Sequence, residues 1–246
     1  MSKIILSICS RLNKESKSLS SIKDYVNKAP SHMNMRIAIA YDAPSIYQGH
    51  TQNLDWTTLD TKLEDDDIIV MCHDDIQIMS NHQEFESYLK LCLKRNVGFV
   101  GVAGATYFDM EKINGAWWTS RNFGATRGFV FQGNDQVFMS PNYFGPQGQV
   151  IVLDGCFLAC SYRTLKLIGL HQPSYLSGPW DFYDIHLTFK AHRMGYSNFT
   201  VPIIIRHESP GHMRQEWYKA RDEFARFFRN ELPITLQYSK THGLPN

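Results

Sequence analysis

The strongest constraint on how this chain can fold is an alternation in its first hundred residues. Short apolar runs lie at residues 3–10, 35–41, 68–72 and 97–102, and the first three end in polar residues. Their near-continuous apolar character reads as strands buried on both faces, as in parallel sheets. Between them, residues 14–28 carry Leu19, Ile22 and Val26 at helical spacing, and residues 82–95 carry Phe85, Leu89 and Leu93 in the same way. Pro30 ends the first of these helices. Residues 42–49 are turn-rich, 53–63 have helical character, and Glu64-Asp65-Asp66-Asp67 forms a polar entry to the third strand. The alternation predicts a mostly parallel sheet with right-handed crossovers. Ligands of such sheets sit outside the carboxyl ends of the strands. Here those ends are Ser10, Asp42 and His73-Asp74-Asp75.

The middle of the chain changes character. Residues 105–148 are rich in Gly, Asn, Phe and Trp with weak periodicity, which predicts an antiparallel hairpin and loop region forming one wall of a cleft. A strand over 150–160, a short helix over 162–169, a helix over 180–195 and a strand over 203–205 leading to His207 follow. Residues 212–230 form an amphipathic helix with Trp217, Phe224, Phe227 and Phe228, expected to pack on the core. The tail after Pro233 is expected to be loose. A chain of 246 residues suits one large α/β domain, divided here as 1–212 with the C-terminal helix and tail, 213–246, packed on it.

Composition removes several classes of function. The formal net charge is +1, without the basic surplus of a nucleic-acid binder. No apolar run reaches the roughly 20 residues that span a bilayer, and the N-terminal run is too short for a signal peptide. The five cysteines, Cys9, Cys72, Cys92, Cys156 and Cys160, lie in apolar contexts and read as reduced core thiols of a cytoplasmic protein. Cys156 and Cys160 lack the second pair that a zinc ribbon needs.

Four segments carry chemistry. An apolar strand ending in His73-Asp74-Asp75 brings together two carboxylates that repel unless a cation or hydrogen bonds compensate. A hard divalent ion is one solution, and a solvated acidic turn is the other. Asp184 lies in the aromatic and apolar segment Trp180 to Leu187. There it is either a desolvated general base or an acid offsetting a helix dipole. His207 ends a strand as a metal ligand or a structural histidine, and the Pro210-Gly211 stretch beyond it suits a loop that closes over a ligand. Asp154-Gly155 interrupts a strand, as a plain bulge or as a point of close ligand approach.

The ordered set of these segments resembles the GT-A glycosyltransferases, in particular the family-two-like bacterial and viral sugar transferases. The resemblance covers about residues 3–212. It implies a GT-A fold, α/β with a mostly parallel Rossmann-like sheet flanked by helices and a smaller antiparallel hairpin region. It also implies an enzyme moving a sugar from a nucleotide-diphosphate donor, with UDP the most frequent nucleotide, to an acceptor hydroxyl on a glycan or lipid-linked acceptor. Peripheral membrane contact stays open. By position, Asp75 matches the metal-binding carboxylate, His73 replaces the first carboxylate of the DxD motif, and His207 completes the metal shell. Ser7, Cys9, Arg11, Asp42 and Asp74 fall where the nucleotide is held. Asp184 matches the catalytic base of an inverting displacement. Asp154 and Gly155 line the sugar and acceptor site, with Trp117, Trp118 and Trp180 as stacking candidates. The implied cofactor is a divalent metal, Mn²⁺ or Mg²⁺, and with His73 in place of a carboxylate it is either bound more weakly or is Mn²⁺ rather than Mg²⁺. His186 stands where relatives often have an acid. Two other readings are a nucleotidyltransferase, disfavoured because Ser10 to Lys14 contains no glycine, and a non-catalytic carbohydrate-binding protein, disfavoured by the βαβ alternation.

Overall fold

The structure, a computed structural model, describes residues 2–55, 62–111, 115–119, 124–133, 140–209 and 213–236. The first part of the chain forms β1 (Ile4–Cys9), α1 (Lys17–Asn27), β2 (Met35–Ala40), α2 (Ile46–Leu54), β3 (Ile68–Cys72), β4 (Ile76–Ile78), α3 (His82–Leu89) and β5 (Val97–Gly101). Short strands β6 (Ala103–Ala105), β7 (Tyr107–Phe108), β8 (Thr126–Gln132), β9 (Ser140–Gly145), β10 (Gly148–Val150), β11 (Val152–Leu153) and β12 (Phe157–Ser161) follow. The chain then forms α4 (Tyr162–Ile168), α5 (Tyr183–Arg193), β13 (Ser197–Thr200), β14 (Ile205–His207), α6 (Gln215–Phe227) and β15 (Ile234–Thr235).

Seven strands form the central sheet in the order β10-β13-β5-β12-β3-β1-β2. β1 runs parallel to β2 and β3, and β13 runs parallel to β5. β12 is antiparallel to both its neighbours, and β10 to β13. The α/β class with helices flanking a central sheet is the expected one. β1, β3, β5 and β12 are buried along their whole length, which explains their unbroken apolar sequences. A second sheet runs β11-β6-β8-β14-β4, with β9 paired to β8. It is the antiparallel region anticipated in the middle of the chain, except that β14 joins β8 in parallel.

Helix starts are set by short polar caps. Ser16, Ser45, Asn81 and Ser161 each accept a hydrogen bond from the backbone N–H three residues on, opening α1, α2, α3 and α4. Such caps contribute about 1 kcal/mol each. Ser45 explains one departure from expectation: α2 begins at Ile46, within the stretch read as turns. The later part of the helical reading over 53–63 lies outside the described residues at 56–61.

Three further departures follow from local geometry. The single strand expected over 150–160 is three, because the chain passes from the first sheet to the second at Ile151 and returns through a turn at residues 154–156. The helix expected from Trp180 begins at Tyr183, because Phe182 adopts a left-handed backbone, φ 63°. The tail is docked as far as Leu236: β15 pairs with β7, and Leu236 is buried.

α6 packs as its pattern requires. Phe224 is fully buried and meets Phe108, Phe182, Phe189 and Phe228 with ring centroids 4.6–5.9 Å apart. Edge and tilted contacts of this kind add to the area each ring buries. All five cysteines are free and buried. Among the described residues, no helix is long and apolar enough to cross a membrane.

Candidate active site

The carboxyl ends of β1, β3 and β14 open into one cavity of about 570 Å³. At one end of it two imidazole nitrogens and a carboxylate oxygen converge. His73 Nδ1 lies 3.3 Å from His207 Nε2 and 3.8 Å from Asp75 Oδ1, and His207 Nε2 lies 3.2 Å from Asp75 Oδ1. The three side chains offer ligand atoms all within 4.8 Å of one another. The backbone fixes this arrangement from several directions. His73 N–H donates to Cys156 O, Glu208 N–H donates to Asp75 O, and the Ser16 hydroxyl donates to Asp74 O. β14 is thereby tied to the turn after β3 by pairing with β4, His207 opposite Ile76.

The residues fit a divalent cation. Asp75 Oδ1 is buried and accepts no hydrogen bond, although two imidazole nitrogens stand within 4 Å. A buried carboxylate oxygen beside two imidazole nitrogens, neither aligned as a good donor to it, is an arrangement a cation can complete. Charge coupling runs the same way. Burial raises the Asp75 carboxyl, but the nearby His207 and His73 outweigh it and hold the group down at about 2. Burial lowers His207, but Asp75 outweighs it and the net shift is upward. His73 is shifted down, chiefly by burial.

Asp184 is held in the same cavity by a different device. The left-handed backbone at Phe182, unusual for a bulky residue, turns the chain so that Asp184 falls in the first turn of α5. Phe182 is packed against Trp217 and Phe224, which hold it there. Two hydrogen bonds then clamp α5 to the Asp154-Gly155 turn. Gly155 N–H donates to Asp184 Oδ2 at 2.8 Å, and the Tyr183 hydroxyl donates to Gly155 O at 2.8 Å. Burial, reinforced by the neighbouring Asp154, pushes the Asp184 carboxyl up to about 7, despite backbone hydrogen bonds that oppose the shift. That value suits a base working near neutral pH.

Gly155 is the one residue type that this clamp admits. A Cβ there would lie 2.4 Å from the Tyr183 hydroxyl oxygen and 3.0 Å from Asp184 Cβ. Gly155→Ala is therefore expected to lower stability by about 1–3 kcal/mol, the usual effect of overpacking. Turnover should fall further than stability does, because Asp184 loses its anchor. Thermal unfolding and initial rates on the same preparation separate the two effects.

The sequence-nominated residues divide clearly. Cys9, Arg11, His73, Asp74, Asp75, Trp118, Asp154, Trp180, Asp184 and His207 line the cavity. Ser7, Asp42, Gly155 and Trp117 do not. Ser7 is a fully buried residue of β1, bonded to His50 Nδ1 at 2.7 Å and to Asn53. Trp117 is a core residue, 1% exposed, with its rings against Trp118 and Phe144. Asp42 is exposed on the turn after β2, at φ 49°. Gly155 acts through the backbone clamp just described. His186 points away from the chemistry: it is buried, bonded through Nδ1 to the Tyr175 hydroxyl at 2.6 Å, and burial lowers it to about 4. Cys9 carries a thiol that burial pushes up, so it lines the cavity as a neutral group. The Pro210-Gly211 loop lies outside the described residues.

Several cavity residues escaped the sequence reading. Arg214 caps the start of α6, and Trp217 stands one turn further on. Arg11 lies over the Trp180 ring at 4.7 Å, while Arg214 is 4.0 Å from Asp181. The signal for Trp217 was hidden because a tryptophan on an amphipathic helix reads as core. It both packs on Phe182 and faces the cavity.

Residues 13–231 match a family model described as "Glycosyltransferase like family". The chain belongs to that family. Its fold agrees with that membership. The structure superposes on that of GalNAc-T7 with UDP, GalNAc and Mn²⁺ at a TM-score of 0.55 and 9% identity, over 93% of this chain and 48% of the other. The chain thus spans about half the length of that relative, and at this identity the likeness concerns the fold alone. A197 from STIV matches at a TM-score of 0.41 and 12% identity, over 87% of this chain and 97% of the other. No curated protein sequence matches the chain.

Proposed function

We propose that this glycosyltransferase moves a sugar from a nucleoside diphosphate sugar to an acceptor hydroxyl, using a divalent cation held by His73, Asp75 and His207. The observation that carries the reading is the convergence of these three ligand atoms in a cavity that Asp184 also lines. A cation bound there would supply positive charge toward a departing diphosphate. Two imidazoles and one carboxylate favour Mn²⁺ over Mg²⁺, which prefers an all-oxygen shell. Arg11 and Arg214 add fixed positive charge to the same cavity, where the diphosphate would be bound. Trp180, already under the Arg11 guanidinium, offers a flat ring for the base or the ribose.

Asp184 takes the proton from the acceptor hydroxyl as it attacks the anomeric carbon. The Gly155 N–H fixes one of its oxygens, which orients the other. A single displacement of this kind inverts the anomeric centre. On this reading residues 1–212 are the transferase domain, and the described residues beyond it, as far as Leu236, pack on it, α6 lining the cavity through Arg214 and Trp217. Buried free cysteines suit a reducing compartment, and the cytoplasm is the proposed site of action.

The test is donor turnover. Purified protein with Mn²⁺ is expected to hydrolyse or transfer from at least one member of a nucleoside diphosphate sugar series, starting with UDP sugars. EDTA should abolish the reaction and Mn²⁺ should restore it better than Mg²⁺. NMR of the product gives the anomeric configuration. If no nucleotide binds and no donor is consumed with any divalent ion, the proposal fails.

A further inference from the structure

The sides of the cavity differ in charge. Arg11, Asp74, Asp181 and Arg214 place four ionisable side chains along the loops after β1 and β3 and the entries to α5 and α6. Where β8 and β9 form the lining, the side chains are Val130, Gln132, Asn142 and Phe144, and none is charged. Strand alternation explains why these four act together. Val130 and Gln132 are two apart on β8, Asn142 is the cross-strand partner of Val130, and Phe144 is two residues beyond Asn142. Phe129 and Phe131 pack on each other at 4.7 Å, on the alternate positions of β8.

The neutral side reaches from the metal ligands to α6. Gln132 is the register partner of His207 in the β8–β14 pairing. Trp118 and Trp217 extend it with ring centroids 5.6 Å apart, both only partly buried and both lining the cavity. Asn142 Nδ2 approaches Gln132 Oε1 at 3.4 Å. Among the described residues, that leaves Gln132 Nε2 and Asn142 Oδ1 without a partner, one donor group and one acceptor group beside aromatic rings. A phosphate would find no cation here, and a plain hydrophobe would leave the two amides unmet. A polyhydroxylated ring with one apolar face satisfies both.

Resting on the glycosyltransferase reading above, we infer that the β8–β9–α6 side is the acceptor subsite, and that it takes a neutral saccharide. Trp118 and Trp217 supply stacking, and Gln132 and Asn142 supply hydrogen bonds to ring hydroxyls. The acceptor hydroxyl then enters between the charged side, which holds the donor, and Asp184.

Saturation-transfer NMR on protein loaded with Mn²⁺ and UDP tests this with a panel of methyl hexosides and neutral disaccharides, alongside uronic acid and sialic acid glycosides. At least one neutral saccharide is expected to show transfer. Its affinity should fall at least tenfold in Asn142→Leu and Gln132→Leu, and in Trp118→Ala as an independent probe of stacking. Mn²⁺ and UDP affinities should stay within about twofold of the parent protein, which also reports that the variants are folded. Three results would overturn the inference: no saccharide binding, binding of the charged sugars alone, or saccharide binding undiminished in all three variants. If the parent protein takes up neither Mn²⁺ nor UDP, it is the nucleotide-sugar reading that falls; saccharide binding and its loss in the variants still decide this one.

Discussion

Asp184→Asn is expected to lower kcat by about 10² to 10⁴, the range that general acid–base groups contribute, while UDP and Mn²⁺ bind as before. The asparagine keeps the size of the side chain, and its carbonyl oxygen can still accept from Gly155 N–H. What it loses is the capacity to take a proton. In the parent enzyme the carboxyl is pushed up to about 7 by burial and by Asp154. The acid limb of kcat should therefore fall tenfold per pH unit below an inflection at or under 7, since a bound cation can only lower that value. Asp184→Asn should flatten the limb. Rates of donor consumption between pH 5 and 9, with acceptor saturating, measure both effects. A variant that turns over at the parental rate would remove Asp184 from the mechanism.

The same residue makes a stability prediction of opposite sign. The folded, metal-free protein holds the Asp184 proton more tightly than an unfolded carboxyl with a pKa of 3.8 does. Its contribution to stability is thus complete below about pH 4 and is lost as pH rises toward 7. Above pH 7 the parent carries a partly buried negative charge beside Asp154, and the asparagine does not. Asp184→Asn should then melt higher than the parent at pH 8 in EDTA, and the gain should vanish near pH 4. A mutation that damages catalysis while raising Tm is the signature of a site kept strained for function.

The sequence revealed which side chains meet in this cavity better than where its elements begin and end. The runs that became β1, β3 and β5 were legible because strands buried on both faces must be apolar throughout. His73, Asp75 and His207 stood out as polar residues at the ends of such runs, and Asp184 as a lone acid within an aromatic and apolar segment. The start of α2 was missed because one serine side chain, Ser45, converts a turn-like stretch into a helix. The three-strand division of residues 148–161 was hidden because β11 and β12 are equally apolar although they belong to different sheets. Ser7 and Trp117 were nominated by position, but burial decides their role: one belongs to a hydrogen-bonded network with His50 and Asn53, and the other to the aromatic core. The amide pair of Gln132 and Asn142 lies on a pairing between β8 and β9 that periodicity alone does not register. Trp217 could not be told from a core residue until Phe182 and the cavity appeared on either side of it.

Asp75→Asn should have the largest effect on metal binding. Asp75 is the one carboxylate among the three proposed ligands, and its Oδ1 is buried with no aligned hydrogen bond. Removing even a residue that only orients a metal ligand typically reduces affinity 10- to 100-fold. Replacing the charged ligand itself should weaken Mn²⁺ by about 100-fold or more and reduce donor turnover in proportion at fixed Mn²⁺. Titration of Mn²⁺ followed by its EPR signal gives the affinity directly. A second readout separates loss of the ligand from general damage. In metal-free protein His207 is shifted up because Asp75 overrides the effect of burial. In Asp75→Asn burial is opposed only by the Asp154 and Glu208 charges, so the His207 ring should titrate lower than in the parent, as followed by NMR of its Cε1 proton. The parent's Mn²⁺ affinity should also rise from pH 5 to 8, because the ion competes with protons for His73 and His207. With Asp75 gone, that dependence should shrink, since the raised imidazole that supplied most of it has been lowered. Parental Mn²⁺ affinity in Asp75→Asn, with His207 still raised, would show that the cation binds elsewhere and that these three residues form a charge network only.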